Sequence, residues 1–332
     1  MAARHKIVYP DGDDATRSLL TDERLARIEA LGEFTLFTDA PGTPDKYLDR
    51  IGDADAVILG WSLPDEVLLH SRKLQFVAFT GIGAGNFVNL ELASQQGITV
   101  TNTPGYADDT VAEHAMALML AAARQLARLD RDTRSGGWNK GLPAFNLKGK
   151  TLGLLGLGGI GIRTAHLARA FGMRVIAWTR NPSPERAMSA DVEFRDLDAV
   201  LSESDVLSLH LALMPETENL LDSQRLARMK HGAVLINTAR AEIIDESALV
   251  TALKSGAIGA AGLDVFHEEP IPVDHPLLAF QNVVITPHTG FNTPEATATI
   301  MDIAIECMSA YFSGKPINVV TVNREKREET SQ

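Results

Sequence analysis

Leu152-Gly153-Leu154-Leu155-Gly156-Leu157-Gly158-Gly159-Ile160-Gly161 decides the fold of this chain, because an apolar strand runs straight into G-x-G-x-x-G. Each glycine has a physical reason. Gly156 permits the tight turn, Gly158 lets backbone N–H groups approach a pyrophosphate, and Gly161 lets the next helix pack against its strand. The phosphates would lie on the helix N-terminus, where unpaired N–H groups and the dipole favour anions. The motif is weak alone and gains from its flanks. Thr164-Ala165-His166-Leu167-Ala168-Arg169-Ala170-Phe171 reads as a helix and Arg174-Val175-Ile176-Ala177-Trp178 as the next strand. That βαβ context favours dinucleotide binding over a merely Gly-rich turn.

Around it, strands are expected at 151–155, 174–178, 206–210, 233–237, 260–264 and 283–285. That is enough for a complete doubly wound sheet. Before it, short apolar runs at 6–9, 34–37, 56–59, 76–79 and 98–100 alternate with helical patterns such as 22–31 and 90–96. Strands alternating with helices imply a second parallel sheet. Asn102-Thr103-Pro104-Gly105 reads as a turn and hinge. A long Ala/Leu/Met helix is then expected from Asp109 to about Arg128, with Thr110 and Glu113 spaced as a capping box. The stretch 134–140, containing Trp138, reads as a loop, safest taken as one packed in a dimer. A tail helix over 294–312 is expected to return to the N-terminal part. The resulting division is 1–103 with 290–332 as one, substrate-binding domain, and 104–289 as an inserted dinucleotide-binding domain.

The chain has 332 residues, 45% of them hydrophobic, which suits two cores. A formal charge of −12 argues against nucleic acid and anionic membranes as main partners. The single cysteine, Cys307, excludes a disulfide framework and a cysteine-rich metal site. His267 and His275 beside Glu268 and Glu269 match no metal-binding spacing, so no metal is expected. The N-terminus runs directly into a strand pattern, and the longest apolar stretch, around 116–123, is too short to span a bilayer. A cytoplasmic location is expected.

Ligands of open α/β sheets bind beyond the carboxyl ends of strands. Three such ends carry suggestive residues: Arg240 in Asn237-Thr238-Ala239-Arg240, Glu269 after Gly262-Leu263-Asp264-Val265, and His288 in Thr286-Pro287-His288. Together they suit carbonyl reduction at a nicotinamide site. A guanidinium grips a substrate carboxylate bidentately. An imidazolium gives a proton to the carbonyl oxygen, and imidazole removes it in reverse. A carboxylate touching the His fixes its tautomer and stabilises its charge. Taken singly, each residue has a plainer reading: a surface Arg, a solvated Glu, a turn His. Their spacing and motif matches together outweigh those readings, whereas His114, His166 and His210 read as packing or capping residues.

With these stretches the chain resembles the D-isomer-specific 2-hydroxyacid dehydrogenases, of the glyoxylate/hydroxypyruvate reductase kind. Further matches are Val111-Ala112-Glu113-His114 and Pro215-Glu216-Thr217, in the family's order from about residue 75 to the end. The resemblance implies a flavodoxin-like substrate domain carrying an inserted Rossmann domain, and Arg240, Glu269 and His288 as catalytic triad. It further implies a homodimer joined largely through the cofactor domain and a cleft that closes on ligand. Cofactor contacts are implied at Gly156, Gly158, Gly159, Ile160, Gly161, Pro215, Thr238, Ala239, Asp264 and His288. Amides of a Gly-rich loop would hold the substrate carboxylate. Here that loop is Gly81-Ile82-Gly83-Ala84-Gly85-Asn86, in which Gly83 and Ala84 are the expected contacts. Ala241 departs from the glycine common there.

An NAD-specific fold usually places an acid ~20 residues beyond the first glycine. This chain has Trp178-Thr179-Arg180-Asn181 there and no acid before Glu185. Thr179 and Arg180 favour a 2′-phosphate and hence NADP(H), with NAD(H) the alternative. The expected reaction is reversible reduction of a small 2-oxo acid to the D-2-hydroxy acid. Within the fold a small-anion dehydrogenase is the rival. Formate enzymes carry Gln where Glu269 stands, which leaves a phosphite-like substrate. A dinucleotide-sensing, corepressor-like scaffold is the rival from another class.

Overall fold

The computed structural model describes residues 4–321. Two compact units divide the chain: residues up to Tyr106 with those from Thr293 on, and Ala107–Asn292.

The first unit holds five parallel strands, β1 (His5–Tyr9), β2 (Gly32–Leu36), β3 (Ala56–Leu59), β4 (Phe76–Phe79) and β5 (Thr99–Thr101), in the order β2-β1-β3-β4-β5. β3 and β4 are buried at every position, as central strands covered on both faces must be. The helix Pro294–Phe312 lies in this unit, capped by Thr293 with Pro294 in its first turn. It buries Met301, Ala304, Ile305, Cys307 and Met308 against Ile7, Ile28 and Phe76. Arg24 locks it to the helix Asp22–Leu31 with a bidentate pair to Asp302, at 3.0 and 2.7 Å.

The second unit holds seven parallel strands: β6 (Thr151–Leu155), β7 (Arg174–Trp178), β8 (Glu193–Phe194), β9 (Val206–Leu209), β10 (Ala233–Asn237), β11 (Ile258–Leu263) and β12 (Val283–Ile285). Their order is β12-β11-β10-β9-β6-β7-β8, the doubly wound arrangement with one strand added at an edge. The chain reverses direction across the sheet between β6 and β9, which makes that boundary the switch point. The helix Asp108–Ala123 covers one face, burying Ala115, Met116, Leu118, Met119 and Ala122. It lies so close to β11 that a Cβ on Gly262 would come within 2.8 Å of Leu118 Cβ.

Three local expectations are corrected. The long helix begins at Asp108 from an uncapped Ala107, so Thr110 is inside it and is not its cap. Asp108 and Asp109 instead place negative charge on the first turn, which complements the dipole. The helix also stops at Ala123, because Gln125 turns into the left-handed region at φ 57, and a second helix follows over Leu126–Arg134. β8 was not anticipated. No helix among the described residues is long and apolar enough to cross a membrane.

Candidate active site

The glycine turn follows β6 at the switch point. Gly156 has φ 101, and a Cβ there would run into the His210 carbonyl at the end of β9. A Cβ on Gly161 would sit 2.5 Å from Gly156 O. Gly158, by contrast, faces open space, with nothing within 4 Å of a built Cβ. It caps the helix Gly159–Ala170, whose first turn contains Ile160. The turn is thus closed on the side of the protein and open on the side where an anion would approach, which fits a pyrophosphate. His210 is half-exposed by surface area, yet its ring Nε2 pairs with the buried Ser208 Oγ at 2.9 Å. Burial pushes this imidazole down to about 4, so it is neutral at ordinary pH.

Neighbouring strand ends supply the rest of the candidate cofactor surface. Pro215 is exposed on a loop that Thr217 folds, its hydroxyl donating to Ala212 O and accepting from Met214 N–H, both at 2.8 Å. Thr179 is half-buried at the end of β7, while Arg180 is exposed and 3.8 Å from Glu216. Glu185, the first acid beyond Arg180, is tied to Ser183 in a helix cap. Thr238 Oγ1 is buried at the end of β10 without a partner in the protein, a polar atom that a bound nucleotide could satisfy.

Arg240, Glu269 and His288 follow β10, β11 and β12, three adjacent parallel strands, so all three leave the same edge of the sheet. Asn237, 1% exposed, braces the first turn from within. Its amide donates to Arg240 O at 2.8 Å, and its oxygen accepts from Ala239 N–H at 3.0 Å. Arg240 itself is half-buried and donates from Nη1 to Ala239 O at 2.7 Å. Glu269 accepts from Phe266 N–H at 2.9 Å with one oxygen and meets His288 Nδ1 at 2.7 Å with the other. Both side chains are more than a third exposed, at 36% and 40%. An ionised carboxylate only accepts, so Nδ1 carries hydrogen and Nε2 is left for outside chemistry.

Asp264, 2% exposed, stands beneath this pair. It accepts from Thr286 Oγ1 at 2.5 Å and from the amides of Thr289 and Gly290 at 3.0 and 2.8 Å. Burial pushes its carboxyl up, but hydrogen bonds from His114, Thr286 and the two amides outweigh this and hold it below 3.8. Expected beside the cofactor, its carboxylate has both oxygens taken up by the protein. In the other unit, Gly83 and Ala84 lie in the loop after β4. Ala84 is buried, and its N–H donates to Ile82 O at 3.1 Å, so that amide is engaged within the loop.

A family model described as the NAD binding domain of D-isomer specific 2-hydroxyacid dehydrogenases matches residues 116–290, which contain the glycine turn and all three strand-end residues. The chain belongs to that family. The dehydrogenase is similar to a glyoxylate reductase of Korarchaeum cryptofilum, 37% identical over 310 residues and covering 91% of this chain and 93% of the relative. A hydroxypyruvate reductase of Blautia hydrogenotrophica is 36% identical over 304 residues, or 88% and 93% of the two chains. Among solved structures, an acyclic imino acid reductase in complex with NADPH and D-Arg superposes with a TM-score of 0.83. It is 30% identical, with 95% of this chain and 99% of that one covered. The dehydrogenase accordingly takes a nicotinamide dinucleotide. Ala241 heads a short 3-10 turn with its methyl buried.

Sequence reasoning missed the supports. In the sequence Asn237 and Thr286 stand only as parts of motifs and His114 as a packing or capping residue, yet its Nε2 lies 3.0 Å from Thr286 Oγ1. Among the described residues no group of three or more His, Cys, Asp or Glu is arranged to hold a metal.

Proposed function

We propose that this protein reversibly reduces a small 2-oxo acid, of the glyoxylate or hydroxypyruvate kind, to its D-2-hydroxy acid. The observation that carries the reading is the 2.7 Å pair of His288 and Glu269, following two strands adjacent to the one that Arg240 follows, at one edge of the parallel sheet that carries the glycine turn. Arg240 receives the substrate carboxylate in its planar fork. His288 Nε2 gives a proton to the carbonyl oxygen, while Glu269 holds Nδ1–H and so fixes which nitrogen does the work. When bound, the nicotinamide supplies hydride to the carbonyl carbon, or accepts it in reverse. The named activities of the glyoxylate and hydroxypyruvate reductase relatives support this substrate class.

NADP(H) is the proposed cofactor, with Arg180 pairing the 2′-phosphate in exchange for its loose contact to Glu216. Leu126 and Trp138, 52% and 78% exposed, are read as lying under a second copy in a homodimer. The test is turnover of a panel of 2-oxo acids with NADPH and NADH. His288→Ala is expected to lose kcat by several orders of magnitude while cofactor still binds, and Arg240→Lys to harm mainly kcat/KM. Nicotinamide absorbance that never changes across the panel, or unchanged reduction in either variant, would overturn the reading.

A further inference from the structure

We propose that His114 is a positioning residue, holding through Thr286 and Asp264 the loop that presents His288. The inference rests on the reading of His288 as proton donor.

His288 has φ 50, in the left-handed region that a non-glycine residue occupies only under strain. Such a backbone persists only where its surroundings over-determine it. The determination comes from Asp264, which takes donors from residues on both sides of His288: Thr286 before it, Thr289 and Gly290 after it. Thr286 spends its hydrogen on Asp264 at 2.5 Å, so its oxygen must accept from His114 Nε2–H at 3.0 Å. The same nitrogen lies 3.4 Å from Asp264 Oδ1. His114 therefore acts as a donor to both members of the pair that anchors the loop.

The imidazole also fills the space that shapes the loop. A Cβ on Gly290 would come 2.9 Å from Asp264 Oδ2 and 3.1 Å from His114 Cδ2. Gly290 can thus approach closely enough to give its amide to Asp264, with the ring as a wall. His114 stands on the otherwise apolar buried face of the helix Asp108–Ala123, its side chain 21% exposed. A purely packing residue there would need no donor, and that difference separates the two roles.

The experiment compares His114→Leu, which keeps bulk and loses the donor, with His114→Gln, whose amide N–H₂ can reach the same oxygens, and with Thr286→Val. In reduction of glyoxylate with NADPH, His114→Leu is expected to lose about tenfold to a hundredfold in kcat, the scale of a misplaced catalytic group. KM for glyoxylate and Kd for NADPH should stay within about threefold, and His114→Gln should recover most of the loss. Adding Thr286→Val to His114→Leu should cost little more, because both cut one chain of contacts. Hydrogen exchange supplies a readout independent of turnover: Thr289 and Gly290 amides should exchange faster in His114→Leu and remain protected in His114→Gln. Equal kcat and equal protection in the Leu and Gln variants would overturn the proposal, as would losses that follow Tm and cofactor Kd alone. If the unaltered enzyme fails to turn over any 2-oxo acid while the exchange pattern holds, the functional reading fails and the positioning of the loop stands.

Discussion

Replacing Glu269 by Gln removes one charge and leaves the side chain's shape intact. The carboxylate serves two donors, Phe266 N–H at 2.9 Å and His288 Nδ1–H at 2.7 Å. A carboxamide has one acceptor. If its oxygen stays with Phe266, its NH₂ faces Nδ1. If it turns to His288, the NH₂ faces the Phe266 amide. A neutral imidazole can answer the first arrangement by accepting at Nδ1, but the imidazolium that gives up the proton carries hydrogen on both nitrogens, so for that form one donor confronts another either way. A hydrogen bond to a charged group is worth about 1.5–3 kcal/mol, and the exposure of both partners, above a third, argues for the lower end. About 1.5 kcal/mol in the transition state is roughly tenfold in kcat. The assay is steady-state reduction of glyoxylate with saturating NADPH near neutral pH. A fall in kcat of about tenfold or more is expected, with KM changed less than about threefold because Arg240 is untouched. Should Glu269→Gln turn over within about twofold of the parent at equal Tm, the pairing at Nδ1 does no catalytic service.

Asn237→Ala strips two hydrogen bonds from the Arg240 turn in a site 1% exposed. It is expected to cost about 2–4 kcal/mol, seen as a lower Tm, together with a fall in kcat/KM. Arg180→Ala should raise KM for NADPH about tenfold and leave NADH nearly unaffected; equal effects on both would remove the 2′-phosphate role. His210, neutral in the fold and displaced from 6.5 to about 4, charges more readily in the unfolded chain. Stability should therefore be full above about pH 6.5 and decline as pH falls toward 4, by no more than roughly 3 kcal/mol. A Tm–pH profile over that window that is the same in His210→Gln as in the parent would contradict this.

Much of this molecule was legible because its signals are local. An apolar strand followed by three spaced glycines is read within ten residues, and φ 101 at Gly156 is the backbone state such a glycine exists to supply. Arg240, Glu269 and His288 were visible as polar punctuation after apolar runs. What escaped had no local mark. β8 has two residues, too short for any period to show. The break at Gln125 lacks Gly or Pro, since Gln adopts the left-handed turn itself. The partner of His114 lies 172 residues along the chain, so only the folded sheet reveals it as more than a polar residue on an apolar helix.

The supports and the proposed reacting groups occupy opposite environments, for a physical reason. A side chain proposed to meet substrate must stay open, and His288 is 40% exposed, with its partner Glu269 at 36%. Open loops are also the parts of a protein least held by packing. The conflict is met by polar residues at the buried strand ends: Asn237 closes β10, and Asp264 follows β11 directly, at 1% and 2% exposure. Each accepts or donates hydrogen bonds to backbone beside a candidate site residue, Asn237 on the Arg240 turn and Asp264 on the amides after His288, where Asp264 also takes the Thr286 hydroxyl. A buried polar group unsatisfied by the wrong loop geometry costs about 1–3 kcal/mol, so the sheet penalises displacement of loops that it barely touches. Rigidity at an exposed site thus follows from burying the groups that define it, and Asn237 and Asp264 carry that constraint from the edge of the sheet to the two loops.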